Sequence, residues 1–232
     1  MKTLALLSQK GGSGKSTLAV HLAVLAQATR RRTVIVDLDP QRSAAGWWDL
    51  RPEPTPELVE ATPGALRGVL EAAQADGVSL CVIDTRPSAG ADAAEAAAFS
   101  DLVLIPTRPA VFDLLAIAAT VDIVLATQVA AYIVLNSTQA PRLAVETAIT
   151  ADARRVLADY GLPIAPCAIS QRAALAYALV DGRAVTEFDP NGRAAAEMTN
   201  LWQFVEHKLW PKSRRSAHLG APSLSLTGSP KP

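Results

Sequence analysis

The chain has 232 residues, half of them hydrophobic, with 22 Lys and Arg against 22 Asp and Glu. That length sustains one α/β domain with a large core, and zero net charge excludes a global field for polyanions, so any nucleic-acid contact must come from a local patch. The two cysteines, Cys81 and Cys167, lie far apart in apolar runs without a CxxC partner, and read as core thiols of a cytoplasmic protein. No stretch is long enough to span a membrane, and the first apolar run is too short for a signal peptide.

In chain order, Leu4 to Leu7 reads as a short strand and Leu18 to Ala28 as a helix, with Lys10-Gly11-Gly12-Ser13-Gly14-Lys15-Ser16-Thr17 between them. A glycine-rich segment in that position is a phosphate-binding loop: glycines let successive N–H groups curl inward, and the helix adds the positive end of its dipole. Lys15 is expected to reach the β- and γ-phosphates of a nucleotide, Ser16 to place its hydroxyl on Mg²⁺, and Thr17 to reach the α-phosphate. Arg30-Arg31-Arg32 follows and reads as capping that helix's C-terminal dipole. Thr33 to Val36 is a β-branched run expected as a buried parallel strand, and Asp37-Leu38-Asp39-Pro40-Gln41 at its carboxyl end faces the crevice where open α/β sheets bind ligands. Residues 43–56 contain Trp47-Trp48 and a proline-rich run, and read as an irregular excursion with one tryptophan packed over it.

A short amphipathic helix is expected around 65–75. Val78 to Asp84 is an apolar strand ending in an acid, the Walker B pattern, with Asp84 as an outer-shell Mg²⁺ ligand. Ala91 to Ala98 reads as a helix and Leu102 to Pro106 as another buried strand. Ala131 to Asn136 is a further strand; Asn136 offers an amide donor and acceptor to adenine, or forms a turn. A helix over about 142–160 precedes a proline-interrupted edge strand at 162–169. Ser170-Gln171-Arg172 opens a helix ending near Asp181-Gly182-Arg183, and a last helix spans about 192–209. These repeated strand–helix units predict a doubly wound, mainly parallel sheet with helices on both faces. Residues 1–210 form the domain; 211–232 read as a disordered tail by composition.

The lysine that opens the loop sharpens this. KGGSGKST resembles the deviant Walker A box of the ParA/MinD superfamily of ATPases, and DLDPQ resembles its switch I. The resemblance covers essentially residues 2–209, and 168–189 looks like the corresponding segment of small ParA proteins of the ParF kind. It implies that Lys10 reaches a partner's phosphates across an ATP-dependent homodimer, that Asp39 orients the attacking water, and that Asp37 supports the Mg²⁺ shell. Lys10, Lys15 and Asp39 are then the catalytic set. At the switch II position the family usually has Asp-Thr-Pro-Pro, whereas here Arg86 interrupts it; pairing with an acid or phosphate and plain solvation are both open, and solvation is the commoner state of arginine. Thr107 to Asp113 resembles the family's turn into the next helix.

Absences separate subfamilies. Without NKxD, ATP is expected over GTP; Cys81, inside a strand, is not placed to hold an Fe–S cluster between subunits. The tail has no sustained apolar face, so no stable membrane binding is expected, and with the P-loop starting at residue 10 no preceding helix-turn-helix domain is expected. The expected function is an ATP-dependent partition protein, weak as an ATPase alone, that dimerises on ATP and binds DNA non-specifically on the nucleoid. A ParB-like or centromere-binding adaptor would stimulate hydrolysis and link it to plasmid or chromosome. The alternatives are the same switch positioning a protein assembly, such as a microcompartment or chemosensory array, and, further off, an ATP-using metabolic enzyme on the same fold. DNA contact is assigned to Arg172, Arg183, Arg193, Lys208, Lys212, Arg214 and Arg215, against a solvated mixed-charge surface in which Asp181, Glu187, Asp189, Glu197 and Glu206 are interleaved.

Overall fold

A computed structural model of the chain describes residues 1–211, apart from Ala89, Arg142 and Ala144. Strands β1 (Lys2–Leu6), β2 (Thr33–Asp37), β3 (Glu57–Glu60), β4 (Leu80–Asp84), β5 (Leu102–Thr107) and β6 (Ala131–Leu135) form one sheet in the order β3-β2-β4-β1-β5-β6. Every neighbouring pair is parallel, as apolar runs buried on both faces require. The helices are α1 (Lys15–Ala28), α2 (Ser43–Asp49), α3 (Leu66–Ala75), α4 (Ala91–Ala98), α5 (Val111–Ala116), α6 (Ala118–Thr127), α7 (Ala148–Ala158), α8 (Ala173–Val180), α9 (Val185–Phe188) and α10 (Arg193–Leu209).

Two cores sandwich the sheet, because alternate strand residues point to opposite faces. Leu4, Leu6, Ile35, Val82 and Leu104 meet α1 and α10, with Trp202 fully enclosed among them. Ala5, Leu7, Val36, Ile83 and Ile105 meet the face carrying Leu66, Ala96, Val121 and Leu157. The strand order reverses at β1, which lies between β4 and β5, and ligands of open α/β sheets bind beyond the carboxyl edge at such a point. Register sets the chemistry there: Asp37 stands opposite Asp84, and Asp84 opposite Leu6, where β1 runs into the glycine loop.

The predicted parallel sheet is observed, with three local differences. Residues 43–49 are helical, and the prolines that suggested irregularity all follow that helix; the chain then returns as the edge strand β3. Residues 162–169 form no strand; they meet β6 and its following loop through isolated bridges at Ile133–Ile164 and Thr138–Ser170 and through the Ile169 N–H, which donates to the Leu135 carbonyl at 2.9 Å, since Pro163 and Pro166 lack the N–H a ladder needs. The helix expected from 142 begins at Ala148. The side chains of Arg31 and Arg32 do not cap α1, although the backbone N–H groups of Arg30 and Arg31 close its end onto the Gln27 and Ala26 carbonyls at 3.0 and 3.1 Å: the Arg31 guanidinium pairs with Glu206 at 3.1 Å and stacks on Trp210, and Arg32 pairs with Glu57 at 3.0 Å. Cys81 is buried, and burial pushes its thiol up to about 12, whereas Cys167 is only half-buried on the wall of a cavity beside α7. The predicted tail lies outside the described residues from position 212 onward.

Candidate functional site

The glycine loop crosses the carboxyl edge of β1 and runs into α1, whose N-terminal cap is Gly14. Gly12 and Gly14 have φ of 70° and 100°, a left-handed region in which a side chain is strained. That curl opens a cavity of about 370 Å³ lined by Gly12, Gly14, Lys15, Ser16, Thr17 and Asp39, with Trp47 and Leu179 as an apolar wall. Ser13 is fully buried and its hydroxyl has no partner.

Lys15 is buried, and desolvation lowers its pKa while the carboxylates of Asp84 and Asp39 pull it back up. Among the described residues Lys15 forms no ion pair, so its charge is directed at the cavity. Asp84 is completely enclosed at the end of β4, and neither carboxylate oxygen has a hydrogen-bond partner. Burial pushes its pKa up to about 7; Ser16 and Lys15 oppose that shift, and Asp37 and Asp39 add to it. Two carboxyl oxygens left without a hydrogen-bond partner, beside a serine hydroxyl and a phosphate cradle, fit a hard divalent cation, which takes oxygen ligands and favours the ionised form. Ser16 and Asp84 are the residues that would hold Mg²⁺.

Asp37 is held by backbone N–H groups. Its Oδ1 accepts the N–H of Asp39 at 2.9 Å and its Oδ2 the N–H of Ala45 at 3.0 Å, so it organises the turn between β2 and α2. Burial raises its pKa and those two N–H groups lower it. Asp39, half-buried on the cavity wall, accepts the N–H of Gln41 at 2.9 Å. Asn136 is also otherwise engaged: its buried Nδ2 donates to the Ser13 carbonyl at 2.7 Å. The end of β6 therefore props the phosphate loop, and the amide expected for adenine acts as a strut. Lys10 is half-buried at the start of the loop, its backbone N–H turned to Ser8 Oγ at 3.3 Å, and its ammonium is in no ion pair among the described residues. Arg86 is not simply solvated; it pairs with Asp92 at the first turn of α4.

The basic residues assigned to DNA separate once their neighbours are known. Arg172 is mostly enclosed and forked onto Glu197, with bonds of 3.1 and 2.7 Å, while Glu197 also accepts the Ser170 N–H and hydroxyl. It ties α8 to α10 and is removed from the DNA candidates. Arg183 pairs with Asp181 and covers Phe188. Arg193 is exposed, and the exposed ammonium of Lys208 lies over Tyr132 and Phe204. Lys212, Arg214 and Arg215 fall outside the described residues. Arg172→Ala is accordingly expected to destabilise the fold by about 1–3 kcal/mol by stripping a charged partner from Glu197; thermal unfolding measures this, and an unchanged melting temperature would contradict the role.

Sequence reading had missed Trp47, Leu179 and Pro87 as parts of the cavity wall. Only adjacency to switch I and switch II could have flagged Trp47 and Pro87, and nothing local flags Leu179.

No helix among the described residues is long and apolar enough to cross a membrane. The chain is 32% identical over 220 residues to maintenance of carboxysome distribution protein A of Gloeobacter kilaueensis, an alignment covering 90% of this chain and 94% of that protein. It is 30% identical over 137 residues to the chromosome-partitioning ATPase Soj of Thermus thermophilus, covering 47% of this chain and 55% of Soj. The solved structure of apo McdA from Cyanothece superposes with a TM-score of 0.72 at 17% identity, over 90% of this chain and 100% of that one, which shows a shared fold. Residues 4–185 match the CobQ/CobB/MinD/ParA nucleotide-binding domain. The chain is thus a member of the ParA/MinD superfamily of nucleotide-binding ATPases.

Proposed function

We propose that this chain is an ATP-driven positioning switch that dimerises on ATP, holds to DNA without sequence preference, and moves a cargo through an adaptor that triggers hydrolysis. The observation that carries this reading is the pair of lysines on one loop. Lys15 is buried in the cavity, and half-buried Lys10 at the start of the same loop has no ionic partner in its own chain among the described residues, which suits it to a second copy's phosphates. Lys15 would bind the β- and γ-phosphates against the inward N–H groups of Gly11 to Thr17, and Asp39 would orient the attacking water. When bound, Mg²⁺ would neutralise phosphate charge.

For the cargo, similarity along nearly the whole of a carboxysome distribution protein favours a protein assembly, such as a microcompartment. Plasmid or chromosome partition is the second reading, supported by the Soj match over about half of the chain. DNA contact falls to Arg193 and Lys208 with Lys212, Arg214 and Arg215, since Arg172 and Arg183 are already neutralised. Binding by such a patch weakens with salt because counterions are released.

The test is retention on non-specific DNA with ADP, ATP and a slowly hydrolysed ATP analogue over a salt series, for wild type and Lys10→Ala. Retention confined to the ATP states, falling with salt and lost in Lys10→Ala, is the expected result. Retention independent of nucleotide, or unchanged in Lys10→Ala, would sink the dimer-switch reading. An adaptor that accelerates ATP turnover and co-purifies with a protein shell, rather than with a DNA site, would decide between the cargoes.

A further inference from the structure

Nothing in the switch chemistry above uses Arg51, yet it is the most enclosed arginine in the described ion pairs, with its side chain only 3% exposed. It sits just beyond α2, and its guanidinium makes four directed bonds. Nε donates to the Thr55 carbonyl at 2.6 Å; Nη1 donates to the Gly182 carbonyl at 3.2 Å and to Glu187 at 2.9 Å; Nη2 donates to the other Glu187 oxygen at 2.7 Å. Two further links join the same segments. Trp47 Nε1 donates to the Arg183 carbonyl at 3.3 Å. Gly182, at φ 67°, lies so close to the chain opposite that a Cβ there would meet the Leu50 carbonyl oxygen at 2.2 Å.

Both sides of this clasp reach the nucleotide cavity. On one side, α2 presents Trp47 to it and is tethered by the Ala45 N–H to Asp37; on the other, α8 presents Leu179. The helix of the phosphate loop joins in, since buried His21 of α1 accepts the Val185 N–H through Nδ1 at 3.4 Å. Beyond the clasp, α8 exposes Tyr177 and Val180, 64% and 76% accessible. An enclosed ion pair adds little net stability over an apolar pair of the same volume, but its fork geometry fixes two segments in one register. A clasp whose two jaws both wall the nucleotide cavity cannot let one jaw move alone.

We propose that Arg51, together with Trp47, is a positioning residue that locks the switch I helix to the α8–α9 turn, so that closure of the cavity on a nucleotide is relayed to the exposed face of α8. The proposal rests on the reading of the cavity as an ATP site. It names a route by which nucleotide state reaches a surface that α2 and the phosphate loop do not themselves form.

The experiment places an environment-sensitive fluorophore on Tyr177→Cys in a Cys167→Ser background of the full chain. A slowly hydrolysed ATP analogue with Mg²⁺ is expected to shift its emission relative to ADP. Arg51→Met and Glu187→Gln, neither of which lines the cavity, are each expected to reduce that shift by about half or more, while affinity for a fluorescent ATP analogue stays within about threefold of wild type. A residue that only stabilised the fold would leave the shift intact below its lowered melting temperature. Glu187→Gln keeps the side chain's shape and withdraws one of the two oxygens that Arg51 grips, so it carries the test should Arg51→Met fail to fold. An undiminished shift in the folded variants, or no shift in a chain that binds the analogue, overturns the relay. A wild-type chain that does not bind the analogue overturns the ATP-site reading itself, and the relay with it.

Discussion

Gly14→Ala is expected to abolish nucleotide binding while leaving the sheet folded. The residue holds φ at 100°, and a Cβ built there lies 2.0 Å from Asn136 Nδ2 and 3.2 Å from its Cγ. The left-handed backbone alone strains an alanine by about 1–3 kcal/mol. The clash cannot be relieved by a swing into solvent, because Asn136 is only 5% exposed and its Nδ2 is bonded to the Ser13 carbonyl. Expelling that amide frees the carbonyl and turns the loop's N–H groups away from the cavity. Losing two hydrogen bonds to a charged phosphate costs about 3–6 kcal/mol, or roughly 10²- to 10⁴-fold in affinity. Asn136→Ala removes the strut without the backbone strain, so its loss is expected to be smaller, about tenfold. Calorimetric titration with Mg·ATP, beside a thermal melt of each variant, measures both. Gly14→Ala binding within about threefold of wild type would show that the loop does not depend on this contact.

That strut marks the boundary of what the chain discloses before it folds. Motifs that are local in sequence could be read directly, because their chemistry depends on neighbours a few residues away: the curl of Gly12 to Gly14, the buried run ending in Asp84, and the acids after β2. The parallel sheet followed from the same logic, since β-branched apolar runs separated by helices have few other ways to bury both faces. What could not be read were contacts that pair distant segments. Asn136 meets Ser13 across 123 positions and Arg51 meets Glu187 across 136, and no periodicity encodes such a partner. Charge was misread for the same reason: Arg172, Arg31 and Arg32 look free in sequence, but each is matched by an acid brought in from elsewhere. The helix at 43–49 was missed because the prolines after it suggested disruption before it, whereas proline constrains its own position and the residue preceding it.

Asp84→Asn is expected to make the ligand-free protein more stable above neutral pH and, at the same time, inactive. Burial lifts the Asp84 pKa from 3.8 to about 7, so between those values the folded chain holds a proton that the unfolded chain has released. Stability must therefore fall as pH rises through this window, by on the order of 4 kcal/mol at 1.36 kcal/mol per pKa unit. Above it, the fold carries an enclosed carboxylate whose oxygens have no partner. An amide removes the charge but remains unsatisfied, at about 1–3 kcal/mol, leaving a net gain of roughly 1–3 kcal/mol, which for a chain of this size raises the melting temperature by about 2–4 °C per kcal/mol. His21 pulls the other way: burial depresses it to about 4, so its contribution is present above its ordinary value and lost as pH falls. The difference between Asp84→Asn and wild type cancels that term, because both chains carry His21. Melts at pH 8 and pH 4 without ligand are then expected to show the variant ahead at pH 8 and level or behind at pH 4. With Mg·ATP the order at pH 8 should reverse, since only wild type has the anionic oxygens to offer a cation, and turnover in the variant should drop by about 10²-fold. A variant less stable than wild type at pH 8 without ligand would mean that the carboxylate already has a partner, and the case for a cation at this position would fall with it. If the expected pattern holds, the site is built at the expense of the fold around it: an acid kept without a partner until the phosphates and their ion arrive.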